Sequence, residues 1–169
     1  MAKRFLTKTL CLILVVISFW SGAALAIRNH WVPGQDVPVL LFHEIGHGGK
    51  DRFLSEEYFA WMMDYLKRNR FNPISVGDYI DTLNGKKKMP PNPVVITFDD
   101  GERSVYTVAF PVLKKRGFTS TVFLVSDFIG KTLYHTVEDR AYNESAPVIT
   151  GKRIWKFEML DWDEVREMK

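Results

Sequence analysis

Two short stretches of this 169-residue chain carry side chains that could do chemistry together: "TFDDG" at 97–101 and "HEIGH" at 43–47. In the first, Asp99 and Asp100 leave an apolar, β-branched run, and Gly101 allows a tight backbone turn there. Adjacent carboxylates in a confined place can divide the labour. One holds a divalent metal, and the other takes a proton from a metal-bound water. The plainer reading of Asp-Asp-Gly is a polar turn that caps the following helix. The second stretch has the spacing H-E-x-x-H, with His43, Glu44 and His47. On a helix this would set two imidazoles on one face for zinc, with the glutamate as general base.

Both stretches depend on the elements that carry them. "PVVITF" (93–98) lies between a proline and the aspartates, and its β-branched residues predict a buried strand. "VPVLLFH" (37–43) is a second apolar run of strand length. Between them, "SEEYFAWMMDYLKRN" predicts a helix capped by Ser55, with Tyr58, Trp61, Met62 and Tyr65 at helical spacing. A shorter helix runs from Ser75 as cap to Gly85 as terminator. After the aspartates, a helix over 103–116 with a bend at Pro111 and a stop at Gly117 precedes a strand over 119–125. Strand, helix and strand at these lengths make a parallel βαβ unit, and chemistry in such sheets collects at the carboxyl ends of the strands. Residues 131–157 read as irregular, and a final helix starts at Asp161 with Glu164 in the capping-box position.

This arrangement weighs against a zinc peptidase. "VPVLLF" is uniformly apolar, Gly46 weakens any helix between the two histidines, and no third ligand stands at a known spacing. The peptidase is therefore the lowest-ranked reading, and His47 reads as a loop residue. His135 in "YHTVED" reads as a solvated loop histidine.

Residues 1–26 stand apart. Lys3, Arg4 and Lys8 precede an apolar stretch that ends in Ala24-Leu25-Ala26, the form of a secretory leader with its cleavage site; an uncleaved anchor is the alternative. The leader carries three of the 23 basic residues and no acids, so the remainder has 23 − 3 = 20 basic residues against 20 acidic. The formal charge of +3 belongs to the leader, and a nucleic-acid surface is excluded as a reading. Cys11, the single cysteine, lies in the leader, so the mature chain has no internal disulfide.

At this point the sequence resembles a known family. "VVITFDDGERSVYTVAFPVLKKRGFTSTVFLV" is similar to the first motif region of the polysaccharide deacetylases, carbohydrate esterase family four, whose domain is also called the NodB homology domain. "VPVLLFHEI" resembles the opening strand of secreted members, and "FLVSDFIG" and "MLDWDEVREMK" resemble the run toward their second motif. The long insertion between Phe128 and Trp162 is nearest to the poly-N-acetylglucosamine and exopolysaccharide deacetylases.

The resemblance implies an α/β fold, the N-terminal part of a distorted (β/α) barrel. It divides the chain into a leader (1–26), a lead-in strand and helices (27–90) and a partial NodB-homology domain (91–169). It implies a hydrolase that removes N-acetyl groups from an exported or cell-envelope polysaccharide. Asp99 would be the catalytic base, Asp100 a ligand of a divalent metal, zinc by expectation, and His43 either faces the substrate or packs beneath the carboxylates. The partner is an N-acetylated polysaccharide, with membrane contact only through the leader or anchor. The histidine ligands of the second motif do not follow "WDEVREMK", and a catalytic zinc needs three protein ligands. The expectation is a truncated, inactive fragment, with a non-catalytic carbohydrate-binding remnant of the same fold as the alternative.

Overall fold

The computed structural model describes residues 36–46, 54–136 and 154–169. The leader over 1–26 and His47 lie outside these residues. A central strand organises the rest. β3 (Pro93–Phe98) is buried along its whole length, as its continuous apolar run predicts. β1 (Val39–Phe42) lies parallel to it on one flank, with Phe42 opposite Phe98. β2 (Asn72–Ile74) pairs with its first half on the other flank, and β4 (Thr121–Val122) pairs with Thr97 and Phe98 beyond β2. All of these pairings are parallel, so this is an α/β sheet with every carboxyl end pointing one way. Residues from both sides of position 90 thus share one sheet.

The helices form where their caps require. In α1 (Glu56–Arg68) the Ser55 hydroxyl accepts from the Tyr58 N–H, and Glu56 and Glu57 sit in the first turn, where the helix dipole favours negative charge. α2 (Val76–Leu83) is capped by Ser75, which accepts from the Asp78 N–H at 2.9 Å. Phe59, Met63 and Leu66 of α1 pack on Val94, Ile96 and Phe98 of β3. Phe42, Phe59 and Phe98 form an aromatic triangle with centroids 5.3–6.1 Å apart. Burial of such side chains contributes roughly 1.5–3 kcal/mol each. The opposite face of β3 presents Val95 to Val37, Ile74 and the α2 side chains Val76 and Tyr79.

β1 closes the sheet on one side, and among the described residues it has no partner on its outer flank. Its Val39 and Leu41 are 57% and 55% exposed. Beside it Tyr58, Trp61 and Tyr65 of α1 line the helix surface, also exposed, with Tyr58 stacked on Trp61 and Tyr65 tilted against it.

β2 has no counterpart among the expected elements, and three others differ from the expectations. The helix over 103–116 is in two parts: a π-helical stretch, Val105–Ala109, and α3 (Phe110–Arg116). Pro111 falls in the first turn of α3, directly after the π-helical stretch, where a residue without an N–H cannot donate to the preceding turn. The strand expected over 119–125 pairs only at Thr121 and Val122. Residues 131–157 are not wholly irregular, because β5 (Thr132–Thr136) and β6 (Ile154–Glu158) form an antiparallel pair. The expected loop histidine, His135, has its backbone in β5 opposite Trp155. α4 (Trp162–Glu167) follows with the full capping box formed by Asp161 and Glu164.

Candidate functional site

β3 ends because its neighbour ends. The Asp99 N–H donates to the Phe42 carbonyl at 3.0 Å as the last bond between the two strands. The chain then turns sharply: the Gly101 N–H reaches back to the Asp99 carbonyl at 2.8 Å, with Asp100 at φ 66° and Gly101 at φ 77°. Aspartate tolerates the left-handed region better than most residues. At Gly101 the requirement is stricter, since a Cβ there would stand 2.8 Å from Leu124 Cδ2. The sharp turn keeps both carboxylates at the tip of the buried strand, half-buried, instead of carrying them along a helix.

His43 arrives at the same tip from β1. Its Nδ1 lies 3.3 Å from Asp100 Oδ2, and its side chain is 54% exposed. It is therefore beside the carboxylate and open to solvent, not packed beneath it. Two contacts hold this loop in place. The Ile45 N–H donates to Ser104 Oγ at 3.0 Å, and Gly46, at φ 105°, lies against Val108. The "HEIGH" letters thus leave a strand: 39–42 are extended and 43–46 are not helical, so the helical face of a zinc peptidase does not form there.

The tip is tied to the end of the described chain. The Leu160 N–H donates to the Gly101 carbonyl at 2.9 Å, and the Arg103 N–H donates to the Glu158 carbonyl at 2.7 Å. Arg103 Nε also donates to Glu164 Oε1 at 2.7 Å, while the other Glu164 oxygen accepts from the Asp161 N–H. One carboxylate therefore caps α4 and anchors it to the loop after the aspartates.

The structure adds a residue that the sequence reading passed over. Glu102 is 5% exposed, and its Oε2 is sealed from solvent with no hydrogen-bond partner. Burial, together with repulsion from Glu44 and Asp100, pushes its carboxyl up to about 8. An unsatisfied buried acceptor costs about 1–3 kcal/mol. Glu102 lines a cavity of about 440 Å³ with Glu44, Thr107, Phe157 and Glu158. The sequence holds little sign of this, since a glutamate after a turn glycine reads as surface.

Asp100 and His43 are of the right chemical type for a divalent metal. Even so, no group of three or more His, Cys, Asp or Glu side chains that could hold one occurs among the described residues. A three-ligand metal centre does not fit what they provide. Also among the described residues, no helix is long and apolar enough to cross a membrane.

A family model described as polysaccharide deacetylase matches residues 86–169, the stretch that contains the aspartate pair and α4. The chain belongs to the polysaccharide deacetylase family. It is a family of hydrolases. The chain is 30% identical over 124 residues to the poly-beta-1,6-N-acetyl-D-glucosamine N-deacetylase of Staphylococcus epidermidis, a match covering 72% of this chain and 42% of that protein. Among solved structures it is similar to a de-N-acetylase from Aggregatibacter actinomycetemcomitans, with TM-score 0.58, 26% identity, and 78% of this chain and 50% of that one covered. It is also similar to IcaB from Ammonifex degensii, with TM-score 0.55, 28% identity, and 79% and 49% covered. The chain thus spans half or less of the length of these deacetylases, and its parallel sheet is the family's α/β fold.

Proposed function

We propose that this chain carries the aspartate half of an N-deacetylase acting on an N-acetylated polysaccharide outside the cytoplasm. The observation that carries the reading is the meeting of His43 and Asp100, at 3.3 Å, at the carboxyl ends of β1 and β3, with Asp99 next to them. In the proposed reaction Asp99 takes the proton of a water that attacks the N-acetyl carbonyl. The C–N bond then breaks, the nitrogen leaves with a proton as a free amine, and acetate is released. His43, half-exposed beside Asp100, meets the substrate from the β1 side.

Asp100 is proposed as one ligand of a divalent metal, zinc by expectation. Since the described residues do not complete such a site, no step is assigned to the ion, and the chain by itself is proposed to be inactive. The apolar leader, with Ala24-Leu25-Ala26 at its end, supports export to the periplasm, cell envelope or medium.

Amine release from N-acetylglucosamine oligomers in the presence of zinc tests this reading. The chain alone is expected to release none. A chimera joining residues 36–169 to the remaining part of the Staphylococcus epidermidis relative is expected to be active, and Asp99→Asn should lower its kcat by about 10²–10⁴. A folded chimera with no activity, or one indifferent to Asp99→Asn, would overturn the proposal. Tight zinc binding by this chain at one site, lost in Asp100→Ala and kept in His43→Ala, would contradict the incompleteness of the metal site.

A further inference from the structure

The direction of the sheet sorts the charges of this chain. Each helix between parallel strands runs back toward the strands' amino ends, so the turns leaving α1, α2 and α3 lie at the end opposite the aspartates. Lys67 Nζ donates to the Arg116 carbonyl there at 2.8 Å, and the Asn72 N–H donates to the Asn92 carbonyl at 2.9 Å. Cations gather on these turns. Lys67, Arg68 and Arg70 leave α1, Lys86–Lys88 follow α2, and Lys114–Arg116 end α3. The acids beside them, Asp64, Asp78 and Asp81, pair with Arg116, Lys87 and Lys86. The other cations, 9 − 3 = 6, have no ion-pair partner among the described residues. With the leader set aside, the rest of the chain has 20 − 9 = 11 basic residues against 20 − 3 = 17 acidic, so an even balance hides a strong separation. The helix dipole accounts for the cations in the last turns of α1 and α3. It does not account for Arg70 or Lys86–Lys88, which lie past the helix ends, and α2 has no basic residue in its last turn.

Apolar side chains stand among these cations. Leu83, the last residue of α2, is 62% exposed, more than any other large apolar side chain described, and Ile80 one turn earlier is exposed too. Both precede the three lysines directly in sequence. A soluble polyanion would engage the cations alone. A lipid surface takes both, with phosphates on the lysines and arginines and the apolar side chains between headgroups. Val37 and Pro38 lead into β1 at this same end, so the leader joins the fold on this side. We propose that the amino-terminal end of the sheet is a docking face for an anionic lipid surface. Leu83 and Ile80 lie at headgroup level, and Asp99 and Asp100 are held at the far end, facing away from the membrane. The folded domain thus has a membrane contact of its own, apart from the leader. This face takes no part in the proposed reaction, and the contact does not depend on it.

Vesicle co-sedimentation of the full chain tests the contact, with phosphatidylglycerol-containing vesicles compared with phosphatidylcholine alone. The leader is present in every variant, so differences between variants report on the folded domain. Lys88→Glu with Lys115→Glu is expected to weaken binding to the anionic vesicles by about tenfold or more, and high salt should act the same way. Arg70→Glu with Lys114→Glu is a second pair, so that misfolding of one pair leaves the other to decide. Lys131→Glu with Lys156→Glu makes the same change of charge on the aspartate side and should leave binding within about twofold. Leu83→Ser should weaken vesicle binding about threefold and leave binding to soluble polyphosphate unchanged. Equal binding to both kinds of vesicle, or equal losses from charge reversal at the two ends, would overturn the proposal. So would polyphosphate binding as tight as vesicle binding with no effect of Leu83→Ser, which would give the face to a soluble polyanion. None of these outcomes depends on amine release by the chimera, so this proposal and the deacetylase reading fail separately.

Discussion

Glu102 offers a quantitative test of the electrostatics at the strand tip. Its carboxyl sits at about 8 in the folded chain, against 4.5 for a glutamate side chain free in water, so the two differ by 8 − 4.5 = 3.5. The folded state therefore prefers the proton. Well below pH 4.5 both folded and unfolded chains carry it, and Glu102 costs nothing. As pH rises from 4.5 toward 8 the unfolded chain ionises first, and stability is lost progressively until the folded carboxyl ionises too. At about 1.36 kcal/mol per pH unit the full loss is about 5 kcal/mol. Because buried sites respond with an effective dielectric well above that of dry protein, and the turn can relax when the carboxyl ionises, about 2–3 kcal/mol is the expected size. Glu102→Gln keeps the shape and removes the charge. Thermal unfolding of both proteins in EDTA should give matching Tm values near pH 4.5. The glutamine variant should lead by roughly 5–10 °C at pH 8.5. A Tm gap independent of pH, or a wild-type chain that is the more stable at high pH, would refute the reasoning.

Two further substitutions probe the same region. Gly101→Ala forces a Cβ against Leu124 at φ 77° and should destabilise by about 1–3 kcal/mol in urea unfolding, with an unchanged m-value. Arg103→Met removes the partner of the buried Glu164 and the tie to α4, for a loss of about 1–2 kcal/mol. Hydrogen exchange at residues 162–167 should rise in that variant, and protection that stays at the wild-type level would show that α4 is held by other contacts.

How much of this was legible in the sequence depended on the range of the interaction. β3 was readable because a strand buried on both faces has to be a continuous apolar run, and "PVVITF" is one. The cap at Asp161 and Glu164 was readable because both partners lie within one turn. β2 was missed because "NPI" is too short and too mixed to signal a strand, and it exists only through pairing with Pro93–Val95. The β5–β6 pair was hidden for a related reason, as no short turn joins its strands. At the site, the aspartates could be placed by their strand. The approach of His43 to Asp100 spans 57 residues of sequence and depends on the β1–β3 register, while Glu102 is paired through its backbone with Met159, 57 residues further on.

Among the described residues the outer flank of β1 is open, which has a practical consequence. Its outward amide and carbonyl groups form a ladder waiting for a rung, and Val39 and Leu41 surround it with grease beside three neighbouring rings. At high concentration two such flanks would zip together, so dilute samples, or lysine at position 39 or 41, suit solution work on this chain.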